Sequence, residues 1–227
     1  RVGRWAPARG PGAAREDRLI KTRVSLSARF AAQLAHPRGW PGRLLGHAMD
    51  RANARPLQLA IEVLDPQAGE RVLDAGCGTG AALAAIRQRA ACVLYGIDRS
   101  QAMIAAARSR LGPSAILAEA TIEALPQAWP PFGAVLALNV LYFAAPGGAM
   151  VRSLRDALRD GGRLVAYVTH RQAMARWRFA RAGLHRLYDA AELEDALVEG
   201  GFARASISIK DHALAPGIRG LVARAER

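Results

Sequence analysis

Two carboxylates stand where ligand chemistry is possible, Asp74 and Asp98, each at the end of an apolar run. Asp74 lies in Arg71-Val72-Leu73-Asp74-Ala75, and Gly76-Cys77-Gly78-Thr79-Gly80 follows at once. Asp98 closes Val93-Leu94-Tyr95-Gly96-Ile97. The first stretch reads as a buried strand, a tight glycine turn and, from Ala81 onward, the start of a helix. Glycines let a ligand approach the backbone and accept positive φ. The helix start adds free N–H groups and a partial positive charge. An acid at the tip of the second strand can accept both hydroxyls of a ribose. Together these residues imply a nucleoside-binding α/β domain. Two ligands fit. Gly76, Gly78 and Ala81 satisfy the dinucleotide pattern G-x-G-x-x-G/A. Gly76, Gly78 and Gly80 instead read G-x-G-x-G, with Asp74 just before. Asp74 favours the second, because a carboxylate suits an ammonium and a sulfonium and repels a pyrophosphate.

The elements that must hold these residues follow from the same patterning. Strands are expected at 71–75, 92–97, 115–119, 132–138, 163–168, 205–209 and 220–225. Helices are expected at 80–89, 100–110 (Ser100 as N-cap), 122–125, 149–158, 171–187 and 191–199. Asp160-Gly161-Gly162 is read as the turn into the fifth strand. Phe132–Leu138 is continuously apolar, as a buried parallel strand requires. Strands alternating with helices predict a doubly wound, seven-stranded, mostly parallel Rossmann-like sheet with helices on both faces. Before it, Ser25–Ala35 and Leu44–Leu64 read as helices, broken at 36–42, with Pro56 expected to kink or divide the second. The expected organisation is a disordered basic arm (1–23), an N-terminal helical cap (24–66) and the ligand-binding domain (67–227).

At 227 residues the chain can bury a substantial core. Its net charge is +13, carried almost wholly by arginine; lysine occurs only at 21 and 210. Residues 1–40 hold nine bases and two acids, a surplus of seven charges. Such a balance suggests anionic partners, nucleic acid or a membrane surface. Two cysteines, Cys77 and Cys92, are too few for a disulfide framework and fit a reducing compartment. No apolar run spans a membrane and no secretory h-region precedes the domain, so a cytoplasmic location is expected. No His or Cys has company at metal-ligand spacing, and no metal is expected.

From about Leu73 to Phe202 the chain resembles the class I S-adenosylmethionine-dependent methyltransferases that act on small molecules. Asp74-Ala75-Gly76-Cys77-Gly78-Thr79-Gly80 is similar to their first motif. Gly96-Ile97-Asp98-Arg99-Ser100, with Met103, is similar to the second. Glu123-Ala124-Leu125-Pro126, Leu158–Val165 and the span from Glu192-Leu193 to Gly200-Gly201-Phe202 resemble later segments, in order. The resemblance implies S-adenosylmethionine as cofactor. Asp74 and the turn of Gly76, Cys77, Gly78 and Gly80 would hold its methionine part. Asp98 would bind the ribose, with Arg99 near the adenine. The family commonly has an acid at the position of Thr121; here Thr121 and the N–H of Ile122 would meet the adenine instead. Asn139 and Tyr142 follow the fourth strand, where the family lines the transfer site.

Methyl transfer from a sulfonium depends mainly on positioning and desolvation. A hydroxyl or carbon-acid acceptor adds a need for a base. His170, closing the fifth strand, is the candidate base; a polar residue ending a strand is the competing reading. Tyr142 would orient the acceptor or cover the sulfonium, against simple core packing. His185 and Tyr188 are expected at the surface. The basic 171–187 segment is read as an amphipathic helix covering the sheet edge, or as a lid over the acceptor. The expected reaction is methyl transfer to a small-molecule or lipid-like acceptor. The alternatives are RNA methylation using the basic N-terminus, possible contact of that arm with anionic membrane, and a cofactor-binding scaffold without catalysis.

Overall fold

The computed structural model describes residues 53–177 and 185–227. The expected helix Ser25–Ala35, the break at 36–42, the basic arm and most of the expected cap lie outside them. Seven strands form one sheet: β1 (Arg71–Ala75), β2 (Val93–Asp98), β3 (Ala115–Glu119), β4 (Phe132–Leu138), β5 (Leu158–Thr169), β6 (Ile207–Ala215) and β7 (Ile218–Glu226). Their order is β3-β2-β1-β4-β5-β7-β6. Neighbours pair in parallel except around β7, which runs antiparallel to both β5 and β6. The order reverses between β1 and β4, and a crevice opens beyond the carboxyl ends of strands at such a reversal.

Alternate residues of the central strands feed two cores. Val72, Leu94, Ala134, Leu136, Val165 and Val222 face one side. Helices α1 (Ala54–Leu64), α2 (Ala81–Arg89) and α3 (Gln101–Leu111) cover that side with Leu59, Leu64, Leu83, Ile86 and Ile104. Leu73, Val135, Leu164, Ala166 and Val168 face the other side. There α4 (Ala149–Asp156) and α6 (Ala190–Glu199) contribute Val151, Leu154, Leu193 and Leu197. The remaining helix, α5 (Arg171–Met174), is a single turn after β5. The period-two alternation of strands thus becomes a three-layer sandwich.

Several boundaries differ from the expectation. The described part of the 24–66 segment is α1, a helix lying on the face of the sheet. Pro56 falls in its first turn, where no intrahelical N–H is needed, so it causes no interior kink. A buried ion pair fixes α1. Arg163 meets both carboxylate oxygens of Glu70, at 2.8 and 2.9 Å, and also donates to the α1-terminal carbonyls of Leu64 and Asp65. Strand β5 begins at Leu158: residues between its pairings to Phe132 and to Ala134 bulge out of the ladder, so the expected turn at 160–162 lies within the strand. Residues 122–124 form a 3-10 turn. Ser100 holds the N-cap position of α3, yet its side chain makes no cap bond. In the expected 171–187 helix, the described residues show only α5, a turn up to Trp177 and, at 185–187, a bend and irregular chain in place of helix; residues 178–184 lie outside the described residues.

Candidate functional site

The glycine turn after β1 is built by backbone geometry. Gly76 has φ 86° and donates its N–H to the carbonyl of Ile97, as Cys77 does. A Cβ on Gly76 would stand 2.3 Å from Cγ1 of Val140, just past β4, so the turn closes against the switch point. Gly78 has φ 51° and nothing within 4 Å of where a Cβ would be, which leaves its backbone open to a ligand. Gly80, at φ 76°, is the N-cap residue of α2. Cys77 is buried in this turn, and its thiol is pushed far up by burial and by Asp74 and Asp98, so it stays neutral.

Asp98 ties this turn to β2. Its Oδ2 accepts the N–H of Gly78 at 3.0 Å and its Oδ1 accepts the N–H of Ser100 at 2.8 Å. Each oxygen keeps a second lone pair for a hydroxyl donor. Burial raises the Asp98 pKa, an effect that the two backbone donors and Arg99 only partly offset.

Asp74 is 1% exposed, and its Oδ2 has no hydrogen-bond partner. Burial, with Asp98 as a lesser cause, pushes its pKa from 3.8 to about 7. A buried carboxylate oxygen without a donor is costly, and a cation or a strong donor supplied by a ligand would relieve that cost.

The end of β4 carries a second polar group. Asn139 has φ 59° and donates from Nδ2 to Oδ1 of Asn53 at 3.1 Å. Tyr142 donates its hydroxyl to Oδ1 of Asn139 at 3.1 Å and accepts the N–H of Thr169 on β5. Tyr142 is 6% exposed, and burial drives its pKa well above that of a free phenol. Its ring and hydroxyl therefore brace Asn139 against β5. Tyr188, expected at the surface, is fully buried, with its hydroxyl donated to the carbonyl of Leu141. Its apolar ring fills the core and its one polar atom is satisfied. His185, also expected at the surface, lies partly buried with its ring 5.2 Å from that of Phe143.

Arg99 is exposed, with its guanidinium carbon 5.3 Å from the centre of the Phe143 ring. Thr121 is exposed and Ile122 is buried at the 3-10 turn beyond β3. Ala120, just before them, donates its N–H to the carbonyl of Asp98, which joins this turn to the β2 end. The structure thus gathers Asp74, Gly76, Cys77, Gly78, Gly80, Asp98, Arg99, Thr121, Ile122 and Asn139 around the ends of β1 to β4.

His170 stands apart, beyond β5. Its Nδ1 accepts the N–H of Gln172 at 3.2 Å. A neutral imidazole that accepts at Nδ1 carries its proton on Nε2, so this ring presents a donor there. Asn53, Phe143 and Thr169 were not singled out for the site in the sequence. Phe143, one residue after Tyr142, was within reach of the strand-end argument; the Asn53 contact spans 86 positions and has no local signal.

Among the described residues, no group of three or more His, Cys, Asp or Glu could hold a metal ion, and no helix is long and apolar enough to cross a membrane. A family model described as a methyltransferase domain matches residues 72–162. The chain is 34% identical over 131 residues to protein-L-isoaspartate O-methyltransferase of Methylorubrum populi; the match covers 56% of this chain and 58% of that protein. The chain thus spans little more than half the length of this curated relative. The protein complexed with the Haloferax volcanii Trm112 methyltransferase activator has the same fold (TM-score 0.70, 17% identity, 87% and 96% of the two chains). So does magnesium protoporphyrin IX methyltransferase of Synechocystis, solved with bound S-adenosylmethionine (TM-score 0.56, 18% identity, 81% of each). The chain carries a class I S-adenosylmethionine-dependent methyltransferase domain.

Proposed function

We propose that this protein transfers a methyl group from S-adenosylmethionine to a small-molecule acceptor, lipid-like molecules included. One observation carries the reading: a buried Asp74 with an unpartnered oxygen, beside an Asp98 held by Gly78 and Ser100, at the sheet's switch point. That pair fits a cationic nucleoside. When bound, S-adenosylmethionine supplies an electrophilic methyl group on a sulfonium. Asp74 and the open backbone at Gly78 hold the amino-acid end, and Asp98 accepts the ribose hydroxyls. Arg99, Thr121 and the Ile122 N–H line the place of the base. Tyr142 orients Asn139 at the edge of the crevice, where the acceptor must approach. The rate gain comes from alignment and exclusion of water, so a dedicated base is not required of a thiolate or neutral amine acceptor.

Titration calorimetry with S-adenosylmethionine and S-adenosylhomocysteine tests the reading; absence of binding by both would overturn it. The basic surplus in residues 1–40 supports a second reading, in which the acceptor is RNA. That reading requires RNA binding that weakens steeply with salt and is lost when those residues are deleted.

A further inference from the structure

A cavity of about 530 Å³ opens beside the end of β5, between α5 and the β6–β7 turn. That is the size of a small-ligand site. Its polar lining is His170, Gln172, Arg176 and Arg219, with no carboxylate among the lining residues. Most of the rest of the lining is the apolar turn of 213–217. Arg219 is fixed in place: its Nε lies 3.0 Å from each carboxylate oxygen of Asp211, and its terminal nitrogens have no described partner. The Arg176 guanidinium reaches over the same turn, with one terminal nitrogen 3.5 Å from where a Gly217 Cβ would stand. Among the described residues it has no ion-pair or hydrogen-bond partner. His170 adds a donor at Nε2, because its Nδ1 accepts from Gln172.

Two guanidinium groups and an imidazole N–H, beside an apolar turn, make the donor set that recognises an anion. Asp211 offsets the charge of Arg219, while that of Arg176 is uncompensated within the described residues. We propose that this cavity holds an anionic group, a carboxylate or a phosphate monoester, of the methyl acceptor. This rests on the methyl-transfer reading above. Position supports it. Thr169, the residue before His170, pairs with Gly220 near the start of β7, so the turn stands at the carboxyl end of β5, the same end of the parallel strands as the glycine loop. The adjacent strand, β4, leads to Asn139, and neighbouring strands lie about 4.8 Å apart. A small molecule anchored here by its anion extends toward the switch-point crevice.

The test uses the full chain and three ligands in separate titrations: citrate, inorganic phosphate and S-adenosylmethionine. Citrate or phosphate is expected to bind, with affinity falling as salt rises. Citrate binding points to a carboxylate, and binding of phosphate alone points to a phosphate monoester. Arg176→Ala is expected to weaken the anion about tenfold or more, as loss of a charge-assisted bond does, and to leave S-adenosylmethionine binding and the unfolding midpoint unchanged. Arg204→Ala, on an exposed arginine paired with Glu194 and Asp195, is expected to change neither ligand. If neither anion binds, or if Arg176→Ala binds it as tightly as the unaltered chain, the proposal is overturned while intact cofactor binding leaves methyl transfer standing. If an anion binds and S-adenosylmethionine does not, the methyl-transfer reading falls and the acceptor assignment falls with it.

Discussion

Replacing Asp74 with Asn tests how the buried carboxylate is used. The side chains are nearly the same size, so the exchange removes charge with little change in packing. Its sign is fixed by linkage. The folded pKa is about 7 and the reference value is 3.8, so the unfolded chain ionises first as pH rises. Between those values each pH unit costs the folded state about 1.4 kcal/mol, and the loss levels off above 7. The wild-type chain without ligand therefore loses, from this group alone, on the order of 4 kcal/mol between pH 4 and pH 8. At pH 5, little more than one unit above the reference value, the wild type has lost only about 1.5 kcal/mol, which the amide's missing partners roughly offset, so Asp74→Asn should differ little in stability. At pH 8 the variant should be the more stable, by up to about that amount less the 1–3 kcal/mol of an amide left short of partners. A cationic ligand reverses the preference, since it pulls the Asp74 pKa down. S-adenosylmethionine should bind wild type more tightly as pH rises from 6 to 8, releasing a proton that calorimetry in two buffers detects. Asp74→Asn should lose at least tenfold in affinity at pH 8. Thermal unfolding at pH 5 and 8, with and without cofactor, measures all of this. A variant whose stability keeps the wild-type pH dependence would show that Asp74 is neither buried nor unpartnered as described.

Asp98→Ala removes the acceptor for the Gly78 and Ser100 N–H groups as well as for the ribose; cofactor affinity by calorimetry should fall at least tenfold. Gly76→Ala places a Cβ against Val140 at a backbone angle that alanine disfavours, and should lower stability by about 1–3 kcal/mol in a denaturant titration. Glu70→Gln leaves the Arg163 charge buried without its partner and should cost about 3–5 kcal/mol. Burial raises the Glu70 pKa, but its bonds to Arg163 and Gln67 lower it on balance. In the wild type this contribution is therefore present above the ordinary carboxylate pKa and lost as pH falls through the lowered one, while Glu70→Gln should show no such loss.

The glycine turn and the strand-end acids were legible because their signals are local: a handful of consecutive residues dictates strand, turn and helix start. Sheet class followed from alternation of element types. What failed depends on distant partners or on competing local rules. Pro56 was expected to kink or divide a helix running from Leu44; it stands in the first turn of α1, and periodicity does not mark where a helix begins. Asp160-Gly161-Gly162 looked like a turn, yet the ladder to β4 resumes across it as a bulge. Tyr188 was placed outside on the polarity of its neighbours; the core accepts it because the Leu141 carbonyl satisfies its hydroxyl. The brace from Asn53 through Asn139 and Tyr142 to Thr169 joins three remote segments, and no window of sequence contains it.

Strand β7 is the last of the seven in sequence, yet it lies inside the sheet, between β5 and β6. Until residues 218–226 insert, β5 has an open edge and β6 has no neighbour to pair with. The hydrogen bond that ties the glycine turn to Asp98 spans 20 positions, whereas the wall of the cavity beside His170 joins the end of β5 to the turn between β6 and β7. Pairings between distant segments form more slowly than local ones. During folding, the half of the site that reads the nucleoside can therefore take shape well before the half that faces the other reactant.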